Sequence, residues 1–205
     1  YREDGSVKGV IAGVMGIGKY YLTSPKFISS DGGFKRIVWM SSVLKQTMAA
    51  ELETVAAREG DPETGLWRRG AVPRGDASLG LLFPHLAGTF HYLFNCEHAG
   101  KAPPHPAALV ATCERIYARR VYPLARFVSF AEVDWVYCLH RAARHCDRVD
   151  AVRPMLRDFA AEYLAFLDAL DPDTDPGLDD LHALFGATSA LAELQNAIPG
   201  EIQTT

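Results

Sequence analysis

Residues 129–140 read Ser129-Phe130-Ala131-Glu132-Val133-Asp134-Trp135-Val136-Tyr137-Cys138-Leu139-His140. Ser129 carries a hydroxyl suited to capping a helix, and Phe130, Val133, Val136, Tyr137 and His140 follow at helical spacing. Val133, Trp135, Val136 and Tyr137 also put apolar groups on more than one side. Such a helix needs neighbours on two faces, so it belongs inside a layered helical array.

The same pattern extends in both directions. Downstream, a helix beginning near Pro154 presents Leu156, Phe159, Tyr163, Phe166 and Leu170. Asp175 and Pro176 then cap and lead a last helix with Leu178, Leu181, Phe185, Leu191 and Leu194 facing inward, ended by Gly200. Upstream, Pro106 sits as the first residue of a helix carrying Leu109, Cys113, Ile116 and Tyr117. Another helix runs from about Pro84 to His98 with Leu86, Phe90, Leu93 and Phe94 on one side. The earliest is capped by Ser41 or Ser42, carries Leu44, Met48, Leu52 and Val55, and stops at Gly60.

Six helices joined by short Pro- or Gly-bearing turns predict a mainly α fold of stacked antiparallel helical hairpins, a toroid-like array or part of one. The first 40 residues have a different texture. They are Gly-rich and hold one strand-like run, Ile37-Val38-Trp39-Met40. The expected organisation is therefore an N-terminal segment over residues 1–40 and a helical domain over residues 41–205.

Charge and composition narrow the function classes. A formal net charge of −4 provides no basic footprint for nucleic acid. No apolar run approaches the roughly 20 residues that span a bilayer. Cys96, Cys113, Cys138 and Cys146 lack the tight spacing of a disulfide scaffold, which suits reduced thiols and a cytoplasmic location. The chain begins at Tyr1 rather than Met, so it is expected to be a trimmed piece of something longer.

Gly13-Val14-Met15-Gly16-Ile17-Gly18-Lys19-Tyr20, Ser24-Pro25-Lys26-Phe27 and Asp31-Gly32-Gly33-Phe34-Lys35-Arg36-Ile37-Val38-Trp39-Met40 form an ordered pattern. Across residues 9–52 it resembles the C-terminal part of the acetyl-CoA synthase subunit of carbon monoxide dehydrogenase/acetyl-CoA synthase. That resemblance implies an enzyme that binds a nickel-containing iron–sulfur cluster and joins a methyl group, CO and coenzyme A. The family's cluster cysteines, including a Cys-Gly-Cys element, lie upstream of the segment, whereas here the first cysteine is Cys96. Thiolates are the ligands such clusters require, so no cofactor is expected within this chain. Residues 61–205 resemble α/α-toroid proteins, through Asp61-Pro62-Glu63-Thr64-Gly65-Leu66-Trp67, which is similar to acidic Gly-Trp turns between toroid hairpins.

Three groups of residues bear on chemistry. Gly16-x-Gly18-Lys19 lacks the following hydroxyl and the preceding strand of a phosphate-binding loop and reads as a structural loop. Cys138, His140, His145, Cys96 and His98 are soft ligands. Residues two apart on a helix diverge by about 200°, which keeps Cys138 and His140 from one ion, and no metal site is assigned. The third group is acidic and aromatic. Asp134, His140, His91 and Glu97 are the expected catalytic residues, and Trp67, Tyr92, Trp135 and His182 the expected substrate-binding ones. Glu132, Asp179 and Asp180 have a simpler role near helix N-termini.

The leading expectation is an α/α-toroid enzyme acting on a small polar, carbohydrate-like substrate by carboxylate and histidine acid–base chemistry. The alternatives are a scaffold or interaction module that keeps an acetyl-CoA synthase-like segment, and a fragment of a larger acetyl-CoA synthase-like metalloenzyme. A small-molecule substrate, a protein partner or a second copy of the chain would be its partners, and nucleic acid and membrane would not.

Overall fold

In a computed structural model the chain is described over residues 57–67, 82–120 and 127–203, all within the unit Ala56–Thr205. The phosphate-loop-like glycines, the strand-like run at residues 37–40 and the expected boundary at residues 40/41 lie outside the described residues. The described residues are mainly helical. Five α-helices follow one another: α1 (Leu82–His98), α2 (Pro106–Arg119), α3 (Ala131–Arg144), α4 (Val149–Asp168) and α5 (Leu181–Ala197).

Helix α3 is the centre. Glu132, Val133, Asp134, Trp135 and Val136 are all buried, as are Cys138, Leu139, His140, Ala142 and Ala143. Buried on all sides but the stripe of Tyr137, Arg141 and Arg144, such a helix needs neighbours around most of its circumference, and α3 packs on α1, α2, α4 and α5. Helix α1 brings Leu82, Leu86, Leu93 and Cys96 to it at spacings of three and four, interrupted by Thr89. Helix α4 brings Val152, Leu156, Phe159 and Tyr163. Tyr117 stacks on Trp135 at 5.2 Å, and Trp135 meets Phe159 at 5.0 Å, so one aromatic seam ties α2, α3 and α4 together.

The helix starts follow local chemistry. Pro106 occupies the first turn of α2, where its missing N–H costs nothing. Ser129 accepts the Ala131 N–H at 3.0 Å and donates to Glu132 Oε2 at 2.7 Å, an arrangement close to a reciprocal cap although Phe130 is the capping residue. Asp175 caps only a short 3-10 helix, Pro176–Asp179. Asp180 then caps α5 by accepting the N–H groups of His182 and Ala183.

Two expectations are corrected. Helix α4 begins at Val149 rather than near Pro154, which lies inside it. Pro154 is early enough in the helix that its missing N–H removes a single intrahelical bond, while the earlier start buries Val152 completely. In α5, Leu181 and Phe185 are exposed, at 82% and 73%, and do not face inward. The buried face is a line of small residues, Ala183, Gly186, Ala187, Ala190 and Ala197, with Glu193 and Leu194 between them. Small side chains let the backbones approach closely: a Cβ on Gly186 would lie 2.4 Å from the Phe130 Cα. Bulk on that face would push the helix away.

Candidate functional site

The sequence-predicted residues do not converge on one point. Two of them, His140 and Glu97, join a network centred on Glu193 of α5. Glu193 lies among the small residues of α5 and is buried. His140 Nδ1 bonds to its Oε1 at 2.6 Å. Arg141 donates from Nε to Oε1 at 2.6 Å and from Nη2 to Oε2 at 2.7 Å. This two-pronged contact matches the planar guanidinium to the carboxylate. Arg141 also reaches Glu97 Oε2 on α1 at 3.4 Å, and Glu97 Oε1 pairs with His145 Nε2. Burial works to raise the Glu193 carboxyl, yet the bonds from His140 and Arg141 outweigh it and hold it below the usual carboxylate range. Glu193 is thereby held as the carboxylate opposite Arg141, and the network pins α1, α3 and α5 together.

Asp134 stands apart. It is 3% exposed, and among the described residues no hydrogen bond joins it to His140. Burial, reinforced by the charge of Glu132, raises its carboxyl to about 8. A carboxyl of this kind holds its proton at neutral pH.

His91 and His182 lie on the surfaces of α1 and α5, and their charges oppose each other. Burial first, and then His182, lowers the His91 imidazole from its ordinary value. His182 rests against the Phe130 ring at 4.6 Å. Trp67 and Tyr92 do come together, their rings stacked at 4.8 Å. Trp135 is wholly buried, and its Nε1 donates to the Cys113 carbonyl at 3.0 Å, a core role.

Glu193 and Arg141 escaped the sequence reading, and His145 entered it only as a soft metal ligand. A lone acid at position 193, in register with Ala183, Ala187 and Ala190, signals a buried charge in need of a partner. His140 and Arg141, adjacent on α3, supply one, while His145, one helical turn beyond Arg141, pairs with Glu97.

The donor set does not fit an iron–sulfur or nickel centre. All four cysteines are free thiols, with Cys96, Cys113 and Cys138 buried. Burial pushes each of the four thiols up, Cys113 and Cys138 most, which opposes the thiolate form a metal needs. Cys146 Sγ instead points back to the Ala142 carbonyl at 3.4 Å. Among the described residues no three His, Cys, Asp or Glu side chains are placed to hold a metal ion together. No described helix is long and apolar enough to cross a membrane.

The remaining described part is the turn before α1. Asp61 Oδ1 accepts from the Glu63 and Thr64 N–H groups, each at 3.0 Å, and from Thr64 Oγ1 at 3.1 Å. Gly60 and Trp67 close the turn with an antiparallel bridge. Thr112 on α2 donates to the Thr64 carbonyl at 2.8 Å, and the Trp67 N–H donates to Thr89 on α1 at 2.7 Å.

This turn falls at the edge of a family match. Residues 5–65 match the C-terminal region of the ACS/CODH beta subunit. That stretch of the chain thus resembles the end of an acetyl-CoA synthase subunit. Among individual relatives, subunit beta 2 of the acetyl-CoA decarbonylase/synthase complex of Methanosarcina acetivorans is 46% identical over 55 residues, covering 25% of this chain and 12% of the relative. The carbon monoxide dehydrogenase/acetyl-CoA synthase subunit alpha of Moorella thermoacetica is 50% identical over 48 residues, 23% of this chain and 7% of that protein. A beta 2 subunit from Methanosarcina thermophila reaches 56% over 36 residues, 18% of this chain and 8% of its own length. The chain therefore spans only a small fraction of the curated relatives it matches. No solved structure matches it.

These matches overturn the leading expectation of a toroid enzyme acting on a carbohydrate-like substrate. The recognisable segment resembles the C-terminal region of an acetyl-CoA synthase subunit, and Asp61–Gly65, read as part of a toroid turn, lies inside the match. The reading of the chain as a fragment of a larger acetyl-CoA synthase-like protein fits better.

Proposed function

We propose that this chain serves in an acetyl-CoA synthase-type assembly, as a part that supplies the C-terminal segment of the family and a helical body, while the cluster chemistry belongs elsewhere in the assembly. The observation that carries this reading is the family match over residues 5–65, with 46% identity over 55 residues to a subunit named for its complex. The absence of a fitting thiolate set among the four cysteines supports the division of labour. Its partner is a protein: a cluster-bearing subunit of the same type. The four free thiols suit a reducing compartment, and we place the chain in the cytoplasm.

The test uses an acetyl-CoA synthase subunit shortened by the segment that corresponds to residues 5–65. This chain, added in trans, is expected to bind it on a sizing column and to restore part of its acetyl-CoA synthesis. Failure to bind at micromolar concentration, with activity unchanged, would overturn the proposal.

A further inference from the structure

The Asp61–Trp67 turn is built like a ligand and seated like one. Its shape is its own: Asp61 Oδ1 gathers three donors, the Asp61 N–H donates to the Leu66 carbonyl at 3.0 Å, and the Gly65 N–H donates to the Asp61 carbonyl at 2.8 Å. A segment that carries its own conformation loses little entropy when it docks.

The seat reads the turn in detail. Thr112 is 1% exposed and Thr89 2%; the Thr112 hydroxyl donates to the Thr64 carbonyl, and the Thr89 hydroxyl, itself donating to the His85 carbonyl, accepts the Trp67 N–H. His85 Nδ1 meets the Trp67 carbonyl at 3.2 Å. Leu66 is fully buried. Gly65, at φ +70°, lies so close to α2 that a Cβ would come within 2.4 Å of the Leu109 nitrogen, which excludes any larger residue. The Trp67 ring closes the far end against Tyr92. Shape, main-chain hydrogen bonds and one buried apolar anchor together are what a peptide-recognition site provides.

We propose that the seat formed by α1 and α2 recognises the Asp-x-x-Thr-Gly-Leu-Trp turn as a separate ligand and holds it without the covalent connection through residues 68–81. The helical body can then bind a turn of this chemistry carried by another polypeptide. This inference rests on the seat alone and does not depend on the acetyl-CoA synthase reading.

A specific protease site inserted between Arg69 and Gly70 of the full chain tests it. After cleavage the two fragments are expected to co-elute on a sizing column with helical circular dichroism unchanged. A synthetic peptide of residues 57–67 in excess displaces the N-terminal fragment. Peptides carrying Asp61→Ala or Gly65→Ala displace it at least about tenfold less well, which corresponds to about 1.4 kcal/mol. Fragments that separate at micromolar concentration, helix lost on cutting, or three peptides that compete equally would each overturn the proposal.

Discussion

Replacing Asp134 by Asn tests the electrostatics of the helical centre. The carboxyl titrates near 3.8 when free of its surroundings and near 8 in the folded chain, with burial as the main cause and Glu132 as the second. The folded pKa is raised, so between these two values the folded state keeps a proton that the unfolded state has released. The resulting stability is fully present below about 3.8 and is lost as pH rises through about 8. Each displaced unit is worth about 1.4 kcal/mol, so the whole displacement has a ceiling of roughly 5–6 kcal/mol. Structural relaxation and water penetration bring such ceilings down, to about 2–4 kcal/mol here.

Asparagine has nearly the shape of the protonated acid and never ionises. Urea unfolding of wild type and Asp134→Asn, followed by circular dichroism at pH 4.5 and pH 8.5, isolates the term. The variant should be close to wild type at the lower pH and more stable by about 2–4 kcal/mol at the higher one. Parallel pH profiles for the two proteins would refute the reasoning, because they would mean that Asp134 ionises alike in both states.

The Glu193 network has the opposite sign. Its folded pKa is depressed, so its stability is present above the ordinary carboxylate value and lost as pH falls through the folded one, and Glu193→Gln should lower the pH dependence of acid unfolding. Arg141→Met leaves the buried carboxylate with His140 alone and should cost about 3–5 kcal/mol in denaturant unfolding. Gly186→Ala, which gains helix propensity on paper, should instead lose about 1–3 kcal/mol and lower the melting temperature by several degrees, because its Cβ meets the Phe130 backbone. Phe185→Ser, at a position 73% exposed, should change unfolding free energy by less than about 0.5 kcal/mol.

The sequence exposed the helices more readily than their orientation. Pro106 and the spacing of Leu109, Cys113 and Ile116 marked α2 correctly, because proline and periodicity act locally. The buried face of α5 was misread because bulky Leu181 and Phe185 outweigh a row of alanines on any hydrophobic count. What selects the core face there is how near two backbones can come, a property of the partner at Phe130 as much as of α5. The start of α4 was set by the burial of Val152, which no local signal at Pro154 discloses.

The candidate site followed the same logic. Asp134 and His140 were legible as unusual residues on an apolar helix, and both are buried. What sequence spacing could not supply was the partner on another helix. His140 turned out to serve Glu193, more than fifty residues away, while Asp134 was left with its proton. A buried ionisable group announces itself in a sequence, but its role is decided by what faces it across the core. For the same reason the family signal and the chemistry separate in this chain. The family match ends at residue 65, in a turn whose main chain Thr112 and Thr89 bond and whose Leu66 is buried. The chain's thiols, three of the four buried and all pushed away from the thiolate form, are suited to packing rather than to metal ligation.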